Sequence, residues 1–159
     1  MNGQTVEILL VEDNPNDAEL ALHALRKKRL GNHIQIARDG EEALDFIFCR
    51  GAYDGRAFGH FPRLILLDLK LPKVDGTEVL RQLKSDPRTR PIPVTVLTSS
   101  KEESDMARTY DLGANSYIQK PVDFERLCGT VEQLGMYWLL VNHLPGFITG
   151  ETISDWKQR

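Results

Sequence analysis

Val6-Glu7-Ile8-Leu9-Leu10-Val11-Glu12-Asp13-Asn14-Pro15 carries the pattern that decides the fold. Up to Val11 the stretch is almost wholly apolar, as expected of a strand covered on both faces in a parallel sheet. Two carboxylates follow at once. Asn14-Pro15 then offers an N-cap and a proline at the first helical position, where a missing N–H costs nothing. Behind it Ala18, Leu22 and Leu25 mark one apolar helical face, and Gly31 is the expected stop.

The same unit recurs along the chain. Ile34 and Ile36 alternate with polar neighbours as a second short strand, Asp39-Gly40 turns the chain, and Ala43, Leu44, Ile47 and Phe48 trace a second helix. Leu64-Ile65-Leu66-Leu67 reads as a buried central strand, and Val79, Leu80 and Leu83 place a third helix after Gly76. Pro93-Val94-Thr95-Val96-Leu97 is strand four, Met106 to Leu112 lies in the fourth helix, and Ser116-Tyr117-Ile118 is strand five. A final helix begins near Asp123 and is expected to reach about His143, before Leu144-Pro145-Gly146 stops it. On it Phe124, Leu127, Val131, Leu134 and Trp138 follow helical spacing and are expected to face the core. Alternating strands and helices imply an α/β fold, a doubly wound parallel sheet of five strands with helices on both faces.

Composition narrows the function classes. The 159 residues suit one domain, 1–159, with a core over about 6–143 and a C-terminal extension over 144–159. No effector domain is expected. The Arg50 to Arg63 connection, rich in Gly and aromatics, is longer than usual for such folds. A net charge of −3 leaves no basic surplus for phosphate backbones, so no direct nucleic-acid partner is expected. Apolar runs are too short to span a membrane, Met1 to Thr5 lacks the basic segment of a secretory signal, and a cytoplasmic location is the default. Cys49 and Cys128 show no metal or disulfide spacing and read as free thiols. His23, His33, His60 and His143 are scattered, none placed as a phosphodonor.

In an open parallel sheet, ligands collect at the carboxyl ends of the strands. The residues there are Glu12 and Asp13 after strand one, Asp68 after strand three, Thr98, Ser99 and Ser100 after strand four, and Lys120 and Pro121 after strand five. Three close carboxylates repel one another unless a cation compensates. A hard divalent ion such as Mg2+ suits an oxygen-rich site and keeps waters for phosphate oxygens. Lys120 adds a point charge for phosphoryl oxygens, Thr98 a hydroxyl donor, and Asp68 a carboxylate able to form an acyl phosphate. Positioning and charge neutralisation are what phosphoryl transfer asks of a protein.

Val11-Glu12-Asp13-Asn14, Leu66-Leu67-Asp68-Leu69-Lys70-Leu71-Pro72, Asp75-Gly76, Leu97-Thr98-Ser99 and Tyr117-Ile118-Gln119-Lys120-Pro121 resemble the signature of two-component response-regulator receiver domains. The resemblance covers about residues 6 to 143. It implies a flavodoxin-like receiver fold with strand order 2-1-3-4-5, phosphorylation of Asp68 by a sensor histidine kinase, and direct Mg2+ ligation by Asp13 and Asp68. Glu12 would act through water and the Lys70 carbonyl would complete the protein ligands. Thr98 would move toward the phosphoryl group and Tyr117 would swing inward behind it. The Lys120–Pro121 bond would be cis, placing the ammonium over the site. Such a protein is not an enzyme beyond catalysing its own phosphoryl transfer and dephosphorylation. The long segment before strand three, Asp86-Pro87, Ile92-Pro93, Thr98-Ser99-Ser100-Lys101 and an extended last helix with Trp138 resemble the single-domain regulators partnered with phytochrome-type kinases. That subgroup implies a homodimer. Lys70 and Ser100 occupy positions that in receivers influence dephosphorylation.

Two rivals deserve weighing. An aspartate-nucleophile phosphohydrolase needs a second acid two residues after the nucleophile, where this chain has Lys70. A pseudo-receiver usually lacks the acidic pair or the acceptor, and here Glu12, Asp13, Asp68, Thr98 and Lys120 are all in place. Output is expected through protein contact. Met136, Tyr137, Leu139 and Leu140 make the last helical turns apolar nearly all round. Either the tail (Phe147, Ile148, Trp156) covers them, or they form a partner surface.

Overall fold

The computed structural model describes residues 6–30, 33–121 and 123–145. Five strands alternate with five α-helices: β1 Ile8–Val11, α1 Pro15–Lys27, β2 Ile34–Ala37, α2 Gly40–Phe48, β3 Leu64–Leu67, α3 Gly76–Ser85, β4 Val94–Thr98, α4 Glu103–Leu112, β5 Ser116–Gln119 and α5 Phe124–Met136. The strands form one parallel sheet in the order β2-β1-β3-β4-β5, as expected.

The alternating side chains of each strand feed two cores. Leu9, Val11, Ile65 and Leu67 face α2 and α3, meeting Leu44, Ile47, Leu80 and Leu83. Ile8, Leu10, Leu64 and Leu66 face α1 and α5, meeting Ala21, Leu25, Leu127 and Val131. Burial on both faces explains why β1 and β3 read as continuous apolar runs, and β4 is equally buried although it carries Thr95 and Thr98.

Local chemistry sets the helix ends. Asn14 caps α1 by accepting from the Asn16 and Asp17 amides, and Asp39 and Asp75 cap α2 and α3 in the same way. The first helix stops earlier than its sequence suggests. Arg29 takes a left-handed φ of 59° and the Leu30 amide donates to the Leu25 carbonyl at 2.8 Å, closing a Schellman-type turn; Gly31 lies outside the described residues. Its buried face is Ala18, Ala21, Ala24 and Leu25, with Leu22 only partly covered.

The last helix brings two corrections. Phe124 is 53% exposed rather than facing the core, because it is the first helical residue and the buried stripe begins with Leu127 and Val131. Helical structure ends at Val141, short of His143, and does so as a π-turn, Tyr137–Val141, in which the Asn142 amide donates to the Tyr137 carbonyl at 2.6 Å. That turn buries Leu139, and Arg63 donates to the Leu139 carbonyl at 3.2 Å. Met136, Tyr137, Leu140 and Val141 remain exposed. Phe147, Ile148 and Trp156 fall outside the described residues.

The long connection before β3 is held by its own aromatics. Phe58 sits between Phe48 and Phe61, and Tyr53 meets Phe46 edge-on. Cys49 and Cys128 are free and half-buried. Among the described residues no helix is long and apolar enough to cross a membrane.

Candidate phosphoacceptor site

Register brings the polar residues together. Val11 pairs with Leu67, so Glu12 and Asp68 leave adjacent strands side by side. Thr98 pairs with Gln119, which puts Lys120 one step beyond the end of β4, with its amide donating to the Thr98 carbonyl at 2.6 Å. Backbone bonds extend each ladder into the site: the Glu12 amide reaches the Ala37 carbonyl at 3.0 Å, and the Asp68 amide the Val11 carbonyl at 3.1 Å. The Asp68 backbone is therefore fixed as a continuation of the central strand.

The Lys120 ammonium is the centre of the cluster. Its Nζ lies 2.5 Å from Glu12 Oε1, 2.9 Å from Asp17 Oδ2 and 3.0 Å from Asp68 Oδ2. Glu12 and Asp68 are buried, while Asp13 is exposed beside them. Burial pushes the Glu12 carboxyl up to about 7, and the Asp68 charge adds to that push, while Lys120 opposes it. For Lys120, burial works against the charged form, yet its bonds to Glu12 and Asp17 and the charge of Asp68 outweigh it and hold the ammonium above its ordinary range.

Carboxylate oxygens of Glu12, Asp13 and Asp68 lie within 4.8 Å of one another. Such spacing, with oxygen donors only, fits a hard divalent cation. Lys70 is exposed, and its amide lies 3.4 Å from Asp68 Oδ1.

The hydroxyls also sit where the strands place them. Thr98 is fully buried, and its Oγ1 is 3.4 Å from the Ser100 amide. Tyr117 is half-buried, and its hydroxyl donates to the Ser100 carbonyl at 3.2 Å. Ser100 in turn donates to Asp105 Oδ2 at 2.6 Å.

One expectation fails. No peptide bond among the described residues is cis, so Lys120–Pro121 is trans. The trans form is the lower-energy default, and the long lysine side chain reaches Glu12, Asp17 and Asp68 from it. Asp17 was not singled out by sequence, since it lies one turn into a helix rather than at a strand end. Its only sequence signal is its place three residues after the cap.

The profile of one family, the response regulator receiver domain, matches residues 8–132. The chain belongs to that family. This receiver is 47% identical over 139 residues to the probable methanogenesis regulatory protein FilR2 of Methanothrix harundinacea, covering 87% of each chain. It is 39% identical to the response regulator Rcp1 of Synechocystis, covering 87% of this chain and 92% of that one. The Mn(2+)-bound crystal structure of Rcp1 superimposes with a TM-score of 0.80 over 87% of this chain and 97% of that one. The phosphorylated cyanobacterial phytochrome response regulator RcpA gives a TM-score of 0.82 at 40% identity, over 89% and 99% of the two chains. The receiver's relatives thus include a phytochrome response regulator, and divalent metal and phosphorylation are both recorded among them.

Proposed function

We propose that this receiver takes a phosphoryl group onto Asp68 from a phosphohistidine of a sensor kinase and signals through altered protein contacts. The observation that carries the reading is the position of Asp68: at the end of the central strand, within 4.8 Å of Glu12 and Asp13 oxygens and 3.0 Å from the Lys120 ammonium. In the transfer an Asp68 oxygen bonds to phosphorus as the phosphorus–nitrogen bond of the donor breaks. The electron pair returns to the imidazole, and an ionised Asp68 has no proton to lose.

Asp13 and Asp68 would hold Mg2+ directly, Glu12 through water, and the Lys70 carbonyl would complete the protein ligands. Mg2+ bound there supplies positive charge to phosphoryl oxygens. Once Asp68 is an acyl phosphate, the Lys120 donor it accepted turns to a phosphoryl oxygen. Thr98 brings its hydroxyl to another, and Tyr117 leaves the Ser100 carbonyl and swings inward. The chemistry belongs to the receiver's own acceptor, so the protein is a signalling element rather than an enzyme acting on others.

Residues 1–159 act as a single receiver unit in the cytoplasm without nucleic-acid contact. Similarity to RcpA supports a phytochrome-type kinase as the donor. The exposed Met136, Tyr137, Leu140 and Val141 support a homodimer built on the last helical turns.

Intact-mass spectrometry with acetyl phosphate, with and without Mg2+, tests the acceptor. One Mg2+-dependent phosphoryl adduct on the wild-type chain and none on Asp68→Asn is the expected result. An adduct that persists in Asp68→Asn would overturn the assignment.

A further inference from the structure

We infer that Asp17 is a positioning residue for phosphoryl transfer, holding the Lys120 ammonium together with Glu12 so that its third donor faces the acceptor. This rests on Asp68 being the phosphoacceptor. An ammonium has three N–H donors and no acceptor. All three are committed here, to Glu12 at 2.5 Å, Asp17 at 2.9 Å and Asp68 at 3.0 Å.

Two of these legs are permanent and one is not. Phosphorylation converts the Asp68 carboxylate into a neutral acyl linkage, which releases its donor to the phosphoryl oxygens. Glu12 and Asp17 are not changed by the reaction and keep Nζ in place. A donor already aimed at the site need not be reoriented when negative charge arrives.

Local structure explains why Asp17 is available. It is the third residue of α1, where an acidic side chain usually reaches back to the backbone amide of the N-cap. Here the Asn14 amide is taken by Glu12 Oε2 at 3.1 Å, while the Asn14 side chain holds the Asn16 and Asp17 amides at 2.9 and 3.2 Å. The Asp17 carboxylate is thereby released from capping and turns to Lys120. Glu12 thus serves both groups: one of its oxygens takes over the cap and the other binds the ammonium. Among the three acceptors Asp17 is the most open to water, its side chain 29% exposed against 5% for Glu12 and 9% for Asp68.

Asp17→Asn and Asp17→Glu would be compared with the wild-type chain by two readouts, with circular dichroism confirming folding. The first is the rate of adduct formation with acetyl phosphate at saturating Mg2+. The second is the 15Nζ signal of the Lys120 ammonium, assigned by its loss in Lys120→Arg. Asp17→Asn is expected to slow adduct formation about tenfold and to shift or broaden the ammonium signal, and Asp17→Glu to restore both in part. An unchanged ammonium signal in Asp17→Asn would overturn the inference, whatever the rate does. So would an altered signal with an unchanged rate. A wild-type chain that takes no phosphoryl group would instead fail the phosphoacceptor reading, and the ammonium signal would still decide whether Asp17 holds Lys120.

Discussion

The Tyr117 hydroxyl donates to the Ser100 carbonyl at 3.2 Å, and this bond ties β5 to the loop leaving β4. Ser100 also binds Asp105 through its hydroxyl and approaches Thr98 Oγ1 through its amide. Tyr117→Phe removes one tie and leaves the ring in place. The expected cost is about 1 kcal/mol, with faster amide exchange at Ser100 and Glu102 as the local signature. Exchange unchanged there would show that the hydroxyl does not restrain the loop.

Gly76 makes the approach of α3 to the end of β3 possible. A Cβ at this position would sit 2.6 Å from the Leu69 Cα and press into the Asp68 carbonyl oxygen. Backbone cannot rotate away as a side-chain tip can. Gly76→Ala is expected to destabilise by about 1–3 kcal/mol and to lower the yield of the phosphoryl adduct, because relief of the clash displaces Asp68. Urea denaturation and intact mass on the same samples check both halves.

A divalent ion that binds only the folded chain stabilises it by mass action, by about 2.7 kcal/mol at a hundred times its Kd. Mg2+ is expected to raise the melting temperature of the wild-type chain, and a chelator to reverse the rise. In Asp13→Asn, which keeps the buried pair Glu12 and Asp68 but loses the exposed carboxylate, most of the increment should vanish. An equal Mg2+ response in both chains would remove Asp13 from the ligand set.

Lys84 gives a pH dependence remote from the site. Its ammonium donates to the Arg90 and Ile92 carbonyls at 2.9 and 2.7 Å and to Asn115 Oδ1 at 3.2 Å. Burial pushes its pKa down to about 8 from 10.5. Between those values the unfolded chain binds more protons than the folded one, so this group makes stability rise with pH across that window. Lys84→Met should remove that rise. Urea midpoints of the two chains at several pH values within the window test it, and parallel curves would contradict the shift.

How much of this was legible in the sequence depended on the range of the interaction. Strands buried on both faces announce themselves as apolar runs, and their sharp endings in Glu12-Asp13 and Asp68 mark the acidic edge in the sequence itself. Asp17 stayed hidden because its partner Lys120 is 103 residues away, and an acid in the first helical turn already has a sufficient local explanation. Phe124 misled for the opposite reason. Spacing alone put it on the buried stripe, but the first residue of α5 lies beyond the reach of α1, which packs against Leu127 and Val131. The turn that closes α1 needed a left-handed non-glycine residue at Arg29, which no composition rule selects.

The π-turn at Tyr137–Val141 adds one residue to what would otherwise be a regular helical turn. Each residue of an α-helix advances by about 100° around its axis, so a one-residue insertion or deletion here re-aims residues 142–145 by that angle. The acidic edge, fixed by strands at the opposite end of β3 from Arg63, takes no part in such a change. A one-residue change of length within Tyr137–Val141 is therefore expected to leave the arrangement of Glu12, Asp68 and Lys120 as it is.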